Sequence, residues 1–168
     1  MTLPLTPSQT VGPYFAIGLS RRPENELVPP GSERAFTLAG RVLDGDGVGV
    51  PDAMVEIWQA DPSGEYRPVF GWGRAGTDAE GRYSFVTTRP GSVEGQAPHI
   101  VMLAFMRGLL KPVLTRVYFP DEEANAADPV LSGLPEDVRP RLVAAVDGDT
   151  VRFDVRMQGE DETPFFTL

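Results

Sequence analysis

The 168-residue chain has no cysteine and one histidine, His99. Disulfides and thiolate ligands are therefore excluded, and a catalytic transition-metal site built from this chain's own side chains is not expected. If the chain serves a metalloenzyme, another chain is expected to supply the metal. Lysine occurs once, at Lys111, and the formal net charge is −9. Phosphate-backbone binding rests on clustered lysines and arginines that displace counterions, so no nucleic-acid partner is expected. The longest apolar stretch, Ile100 to Met106, falls far short of the ~20 residues of a membrane span. Nothing at the start resembles a secretory signal, and the expected location is the cytoplasm.

Glycine and proline are plentiful instead. Eighteen glycines and 17 prolines punctuate short apolar runs, at spacings that predict an all-β sandwich. Hydrophobic residues at 41% and charged residues at 23% give a globular balance. One domain suffices for this length: a β-sandwich over 35–168, preceded by an N-terminal arm and loop over 1–34.

Six strands are readable from periodicity. Ala35 to Leu43 alternates, with Phe36, Leu38 and Val42 on one face, and runs into the turn Asp44-Gly45-Asp46-Gly47. Asp52 to Ala60 and Gly81 to Thr88 also alternate, the latter with Tyr83, Phe85 and Thr87 on one side. His99 to Arg107 is an apolar run suited to a central strand. Leu114 to Phe119 and Val151 to Gln158 complete the set. Leu3 to Leu19, with Pro4, Pro7 and Pro13, reads as an extended arm. The spacing over 136–146 predicts one short helix, with Glu136 and Asp137 suited to its N-terminus.

Several motifs invite chemistry, and each has a plain alternative. Asp44, Asp46 and Gly47 open like a calcium loop, but Val48 and Val55 stand where ligands are required, so a turn is expected. Gly45, Gly47 and Gly49 resemble a dinucleotide loop, but a strand follows them. Asp121, Glu122 and Glu123 could act as acid and base, or form a solvated loop. Arg107 ends the most apolar strand, where a five-donor fork suits a carboxylate or pairs with a neighbouring acid. Tyr66 and His99 are iron-ligand types, but two ligands do not make a site.

Three groups of residues taken together resemble the intradiol ring-cleavage dioxygenases. They are Thr6-Pro7-Ser8-Gln9-Thr10-Val11-Gly12-Pro13-Tyr14, Val55-Glu56-Ile57-Trp58-Gln59-Ala60-Asp61 with Gly64-Glu65-Tyr66, and Ala97-Pro98-His99-Ile100. Phe105-Met106-Arg107-Gly108, Arg116-Val117-Tyr118-Phe119 and Phe153 to Glu160 resemble the α-type chain of the family's two-chain members. The resemblance spans nearly the whole chain in order.

The resemblance implies a β-sandwich and an enzyme whose non-haem Fe(III) is held by two tyrosines and two histidines. Tyr66 matches the first tyrosine and His99 the first histidine. Val93 and Val101 fall where the second tyrosine and second histidine would be. Valine has no lone pair, so a degenerate iron site is expected, with Tyr66 and His99 hydrogen-bonded to each other or to nearby backbone. This chain would bind no metal and contribute no catalytic residue. The Fe(III) would belong to a homologous β subunit, in a larger αβ oligomer.

By the same resemblance, Arg107 approaches the carboxylate of protocatechuate, while Thr10, Gly12, Pro13 and Tyr14 line the pocket. The reaction implied is O₂-dependent cleavage of 3,4-dihydroxybenzoate to 3-carboxy-cis,cis-muconate. Two rival readings stay open: a metal-free sandwich module that binds an aromatic acid or a protein partner, and a homo-oligomeric dioxygenase with a different metal site.

Overall fold

The computed structural model describes residues 4–10, 12, 14–19 and 24–167. Two antiparallel-dominated sheets face each other across one main core. The first is built on β1 (Ala35–Leu43), which pairs antiparallel with β4 (Arg82–Thr88) over seven residue pairs, from Ala35↔Thr88 to Arg41↔Arg82. On its other edge β1 runs parallel to β8 (Thr150–Arg152) and then β9 (Val155–Arg156), and β7 (Ala145–Asp147) closes the edge beyond β8. The second sheet has the order β3-β2-β5-β6, from β2 (Met54–Trp58), β3 (Trp72–Gly76), β5 (His99–Phe105) and β6 (Val113–Tyr118).

Side chains alternate across each pleat, so every second residue is driven inward. Leu38, Val42, Tyr83, Phe85, Val151 and Val155 of the first sheet meet Val55, Ile57, Ile100, Met102, Ala104 and Val117 of the second, all in one buried cluster. Gly40 sits where this packing is tightest. A Cβ there would lie 1.7 Å from the Phe153 carbonyl oxygen, so only glycine lets β1 and the C-terminal strands approach.

The structure departs from the periodicity in several places. Val151 to Gln158 is not one strand. At Asp154 a carboxylate oxygen accepts the Arg41 backbone N–H at 2.9 Å, in place of a ladder carbonyl, and splits β8 from β9. The helix expected over 136–146 is a four-residue 3₁₀ turn, Arg139–Leu142. Val143 beyond it is extended, and Ala144 N–H donates to the Tyr118 carbonyl at 2.9 Å. Other helical pieces lie at Glu123–Ala127 and at α2 (Pro129–Ser132). Finally, the arm expected to be extended contains a short helix, α1 (Tyr14–Leu19), while residues 4–10 are exposed and carry no regular structure.

Candidate functional site

The outer face of the second sheet gathers most of the residues singled out by sequence. Register places Trp72, Trp58, Val101 and Arg116 in one row across four strands, with His99 and Tyr118 paired one step along. Directly paired residues share a face, so Arg116 and Val101 are side-by-side neighbours. The inner face is core, but this outer face is only partly covered, and Trp58 and Trp72 are 49% and 44% exposed.

Tyr66 is carried to this face by a tight turn. Asp61 Oδ1 accepts from Ser63 N, Ser63 Oγ and Glu65 N, and Asp61 also accepts from Arg67 Nε. The Ser63 hydroxyl, followed by the Arg67 guanidinium, holds the Asp61 carboxyl well below the usual carboxylate range. Gly64 takes φ +85 in this turn, and a Cβ there would lie 2.1 Å from the Ser92 carbonyl oxygen. The loop is thus pinned against 89–93. Its product is an edge-on contact of Tyr66 with Trp58, ring centroids 5.1 Å apart. Partial burial raises the Tyr66 phenol pKa, against the pull of nearby Arg116, so the group is a neutral phenol at pH 7.

His99 is buried at the start of β5. Its Nδ1 lies 2.8 Å from the Ala97 carbonyl, and since a carbonyl only accepts, Nδ1 carries the proton of the neutral ring. Burial lowers the His99 pKa, and the Arg116 charge acts in the same direction. Asp128 fixes this end of the strand. It is fully buried and accepts from Ala97 N at 2.8 Å, Val130 N at 2.8 Å, Leu131 N at 2.9 Å and Tyr118 OH at 3.2 Å. It caps α2 and anchors His99 together. Desolvation pushes the Tyr118 phenol up to about 12. His99 bonds backbone and not Tyr66.

Val93 lies in a tight reversal closed by Val93 N to Gln96 O at 3.2 Å and Gln96 N to Val93 O at 2.8 Å. Glu94 and Gly95 take φ +49 and +79 at its centre, as a type I′ turn requires. The turn presents Gln96 to the sheet, where its Oε1 accepts from Arg116 Nη1 at 2.6 Å. Arg116 Nη1 also donates to Tyr118 OH at 3.3 Å. Arg116 and Gln96 drew no attention as site residues from sequence. The available signal was a charge at the centre of an otherwise apolar strand.

These residues do not fit a ferric ion. Val93 and Val101 offer no lone pair, which leaves Tyr66 and His99 as the donors at the four positions, too few to hold the ion. Among the described residues no group of three or more histidine, cysteine, aspartate or glutamate side chains could hold a metal.

Arg107 is elsewhere. It follows β5 at the end opposite His99, and the strand between them, His99–Phe105, spans about 20 Å at a rise of about 3.3 Å per residue. It occupies the corner of the turn Met106–Leu109, whose Gly108 takes φ +86. Its Nε donates to Asp52 Oδ1 at 3.0 Å, while the side chain remains 63% exposed. So the acid pairing considered from sequence is present, but it engages one edge of the fork. Thr10 is exposed and accepts the Gly12 N–H on Oγ1 at 3.3 Å, and Gly12 takes φ +67. Pro13 and the Tyr14 side chain lie outside the described residues.

Two other motifs resolve as structure. Asp44 Oδ1 accepts from Asp46 N and Val48 N, closing a turn. Asp121 and Glu122 pair with Arg89 at 2.7 and 3.3 Å, and Glu122 also caps the 3₁₀ turn that follows.

Comparison with known proteins agrees with this geometry. The dioxygenase family model matches residues 12–159. The protocatechuate 3,4-dioxygenase alpha chain of Burkholderia cepacia is 43% identical, with 99% of both chains covered. The beta chain from the same organism is 36% identical over 77% of this chain and 66% of its own. Among solved structures, the dioxygenase domain of a carbohydrate-binding fusion protein from Streptomyces sp. SirexAA-E superposes with a TM-score of 0.68 at 27% identity, covering 90% of this chain and 96% of that one. The chain belongs to the intradiol ring-cleavage dioxygenases, a family of oxidoreductases that use non-haem iron.

Proposed function

We propose that this chain is the α-type subunit of a protocatechuate 3,4-dioxygenase, and that it completes an active site whose Fe(III) is held by a homologous β subunit. The observation that carries this reading is the pairing of full-length similarity to α chains with a ligand set reduced to Tyr66 and His99. The enzyme so formed cleaves 3,4-dihydroxybenzoate with O₂ to 3-carboxy-cis,cis-muconate. It is a cytoplasmic αβ oligomer.

The work of this chain is binding and orientation. Protocatechuate is an anion, and a chain with a net charge of −9 must offer it a local positive group. Arg107 is that group: Asp52 holds its Nε and steadies a side chain that stays 63% exposed, which leaves the Nη groups for a carboxylate. Its distance from Tyr66 and His99 supports a role at a site shared with another chain. Thr10, Gly12, Pro13 and Tyr14 extend the arm over that site and keep water from it. No proton transfer is assigned to this chain.

Co-expression with a homologue that carries two tyrosines and two histidines in the matching motifs tests the proposal. Protocatechuate-dependent O₂ uptake is expected of the co-purified complex and of neither chain alone. Full activity of the β chain without this one would overturn it.

A further inference from the structure

Charge is spread unevenly over this chain. The formal net charge is −9, yet a groove of about 1280 Å³ is lined by six arginines and only two acids, Asp78 and Asp154. Its floor is the outer face of the first sheet. Leu38 and Val151 point into the core, so their neighbours Ala39 and Arg152, paired with each other, point out. Ala39 also lies opposite Ser84, and Arg41 opposite Arg82. Like charges directly across a ladder are destabilising. Asp78, 2.9 Å from Arg82 Nε, and Asp154, 3.5 Å from Arg41 Nη2, offset this pair in part.

The arginines at the other end of the groove are loosely held. Arg152 has Asp147 at 3.5 Å, and Arg141 Nη1 donates to the Glu162 carbonyl at 3.4 Å. Beside them rises an acidic turn. Arg156 N–H donates to Thr163 Oγ1 at 2.9 Å and Thr163 N–H to the Arg156 carbonyl at 3.0 Å, which closes a loop with Glu160, Asp161 and Glu162 at its tip. All three acids are exposed, and none of them, nor Arg156, enters an ion pair among the described residues. Turn and groove are therefore opposite in charge and adjacent in the fold, and the carboxylates of the one do not engage the arginines of the other.

We infer that a second copy of this chain fills the groove with its own acidic turn, residues 160–162, and that the contact is reciprocal about a two-fold axis. In such a contact each surface patch meets its counterpart on the partner. Because turn and groove are neighbours, one rotation seats both turns in both grooves. The groove exceeds the about 300–1,000 Å³ of small-ligand pockets, and a lining that includes Ala39, Ser84 and Ala145 lets a visiting backbone approach closely. The contact is separate from any pairing with a β chain and does not depend on it.

Sedimentation of the full chain by itself, over a range of protein concentrations, reads the outcome. Repulsion between two acidic chains is long-ranged and the arginine–carboxylate contact is short-ranged, so salt distinguishes them. A dimer is expected at about 0.1 M salt, where charges are screened over about 10 Å. At about 1 M, where the screening length is about 3 Å, its Kd should rise at least about tenfold. A monomer under both conditions, or a dimer indifferent to salt, would overturn the assignment.

Charge reversal then identifies the two surfaces. Arg152→Glu with Arg156→Glu makes the groove acidic, and Glu160→Arg with Asp161→Arg makes the turn basic. Each variant alone is expected to be monomeric at about 0.1 M salt, and an equimolar mixture to recover the dimer, since each then offers the charge that the other needs. Undiminished dimerisation of either variant would overturn the assignment, as would a mixture of the two folded variants that stays monomeric. Species growing beyond a dimer would contradict the two-fold closure. Should a variant not fold, the salt series on the unaltered chain decides by itself. Because no β chain is involved, a failure here leaves the O₂-uptake test untouched, and the reverse also holds.

Discussion

Arg107 and Asp61 show how differently two charged residues can be employed. Arg107 is held at one edge by Asp52 and exposed at the other, a geometry that orders the fork without consuming it. Arg107→Leu in the complex is expected to raise KM for protocatechuate by about 10- to 100-fold, since a charge-assisted hydrogen bond contributes about 1.5–3 kcal/mol. Catechol, which lacks the carboxylate, should be nearly unaffected. Equal losses on both substrates, from steady-state O₂ uptake, would make Arg107 structural. Asp61 is by contrast wholly engaged within its turn. Its carboxyl is acidified in the folded chain by Ser63 and Arg67, so folding is favoured while it is ionised. That contribution is fully present above the ordinary carboxylate pKa near 4 and fades as pH falls toward the lowered folded value. Urea midpoints of the native chain and Asp61→Asn should therefore differ most at pH 6–7 and converge below pH 4; a constant gap would refute the linkage. Tyr66 and His99 are marked in the sequence by their motif neighbours, and the structure sets Tyr66 against Trp58 of β2 and His99 at the start of β5. The hydrogen bonds of Arg116 were not legible, because Gln96 and Tyr118 come to it through a turn and a strand register that no local pattern reveals.

At the scale of elements, strands with strict alternation were readable and those without it were not. Ala35–Leu43 matches its sequence-based bounds, and β4 and β5 differ from theirs by a residue or two. Trp72–Gly76 escaped notice because two of its five residues are glycine, leaving little apolar pattern to detect. The short helix over 136–146 reduces to a 3₁₀ turn because Val143 and Ala144 are recruited to the edge of β6. In the arm, prolines pointed to extended chain, and residues 14–19 nonetheless form a helix. Exposure of residues 4–10 leaves the arm's N-terminal part without cover from its own sandwich. Deleting residues 1–14 should accordingly leave the melting temperature of the isolated chain within a few degrees of the original. The same deletion should weaken co-purification with the β chain or raise KM for protocatechuate. Unchanged assembly and kinetics would remove the arm from the account.

At the scale of the whole molecule, the family fold is kept, and valines stand at two of the four positions read here as those of metal ligands. The core of two facing sheets stabilises the chain without any metal contribution, so losing the ligands need not cost the fold. In the proposed function, what this chain offers an iron enzyme is a surface, an arm and a positive fork, and the metal chemistry falls to its partner. Iron content and visible absorption, measured on the purified chain alone and on its complex with a β chain, test this division most directly. The account predicts a colourless chain with negligible iron, and a red-brown complex with one iron per αβ pair. A coloured, iron-bearing preparation of the isolated chain would contradict it.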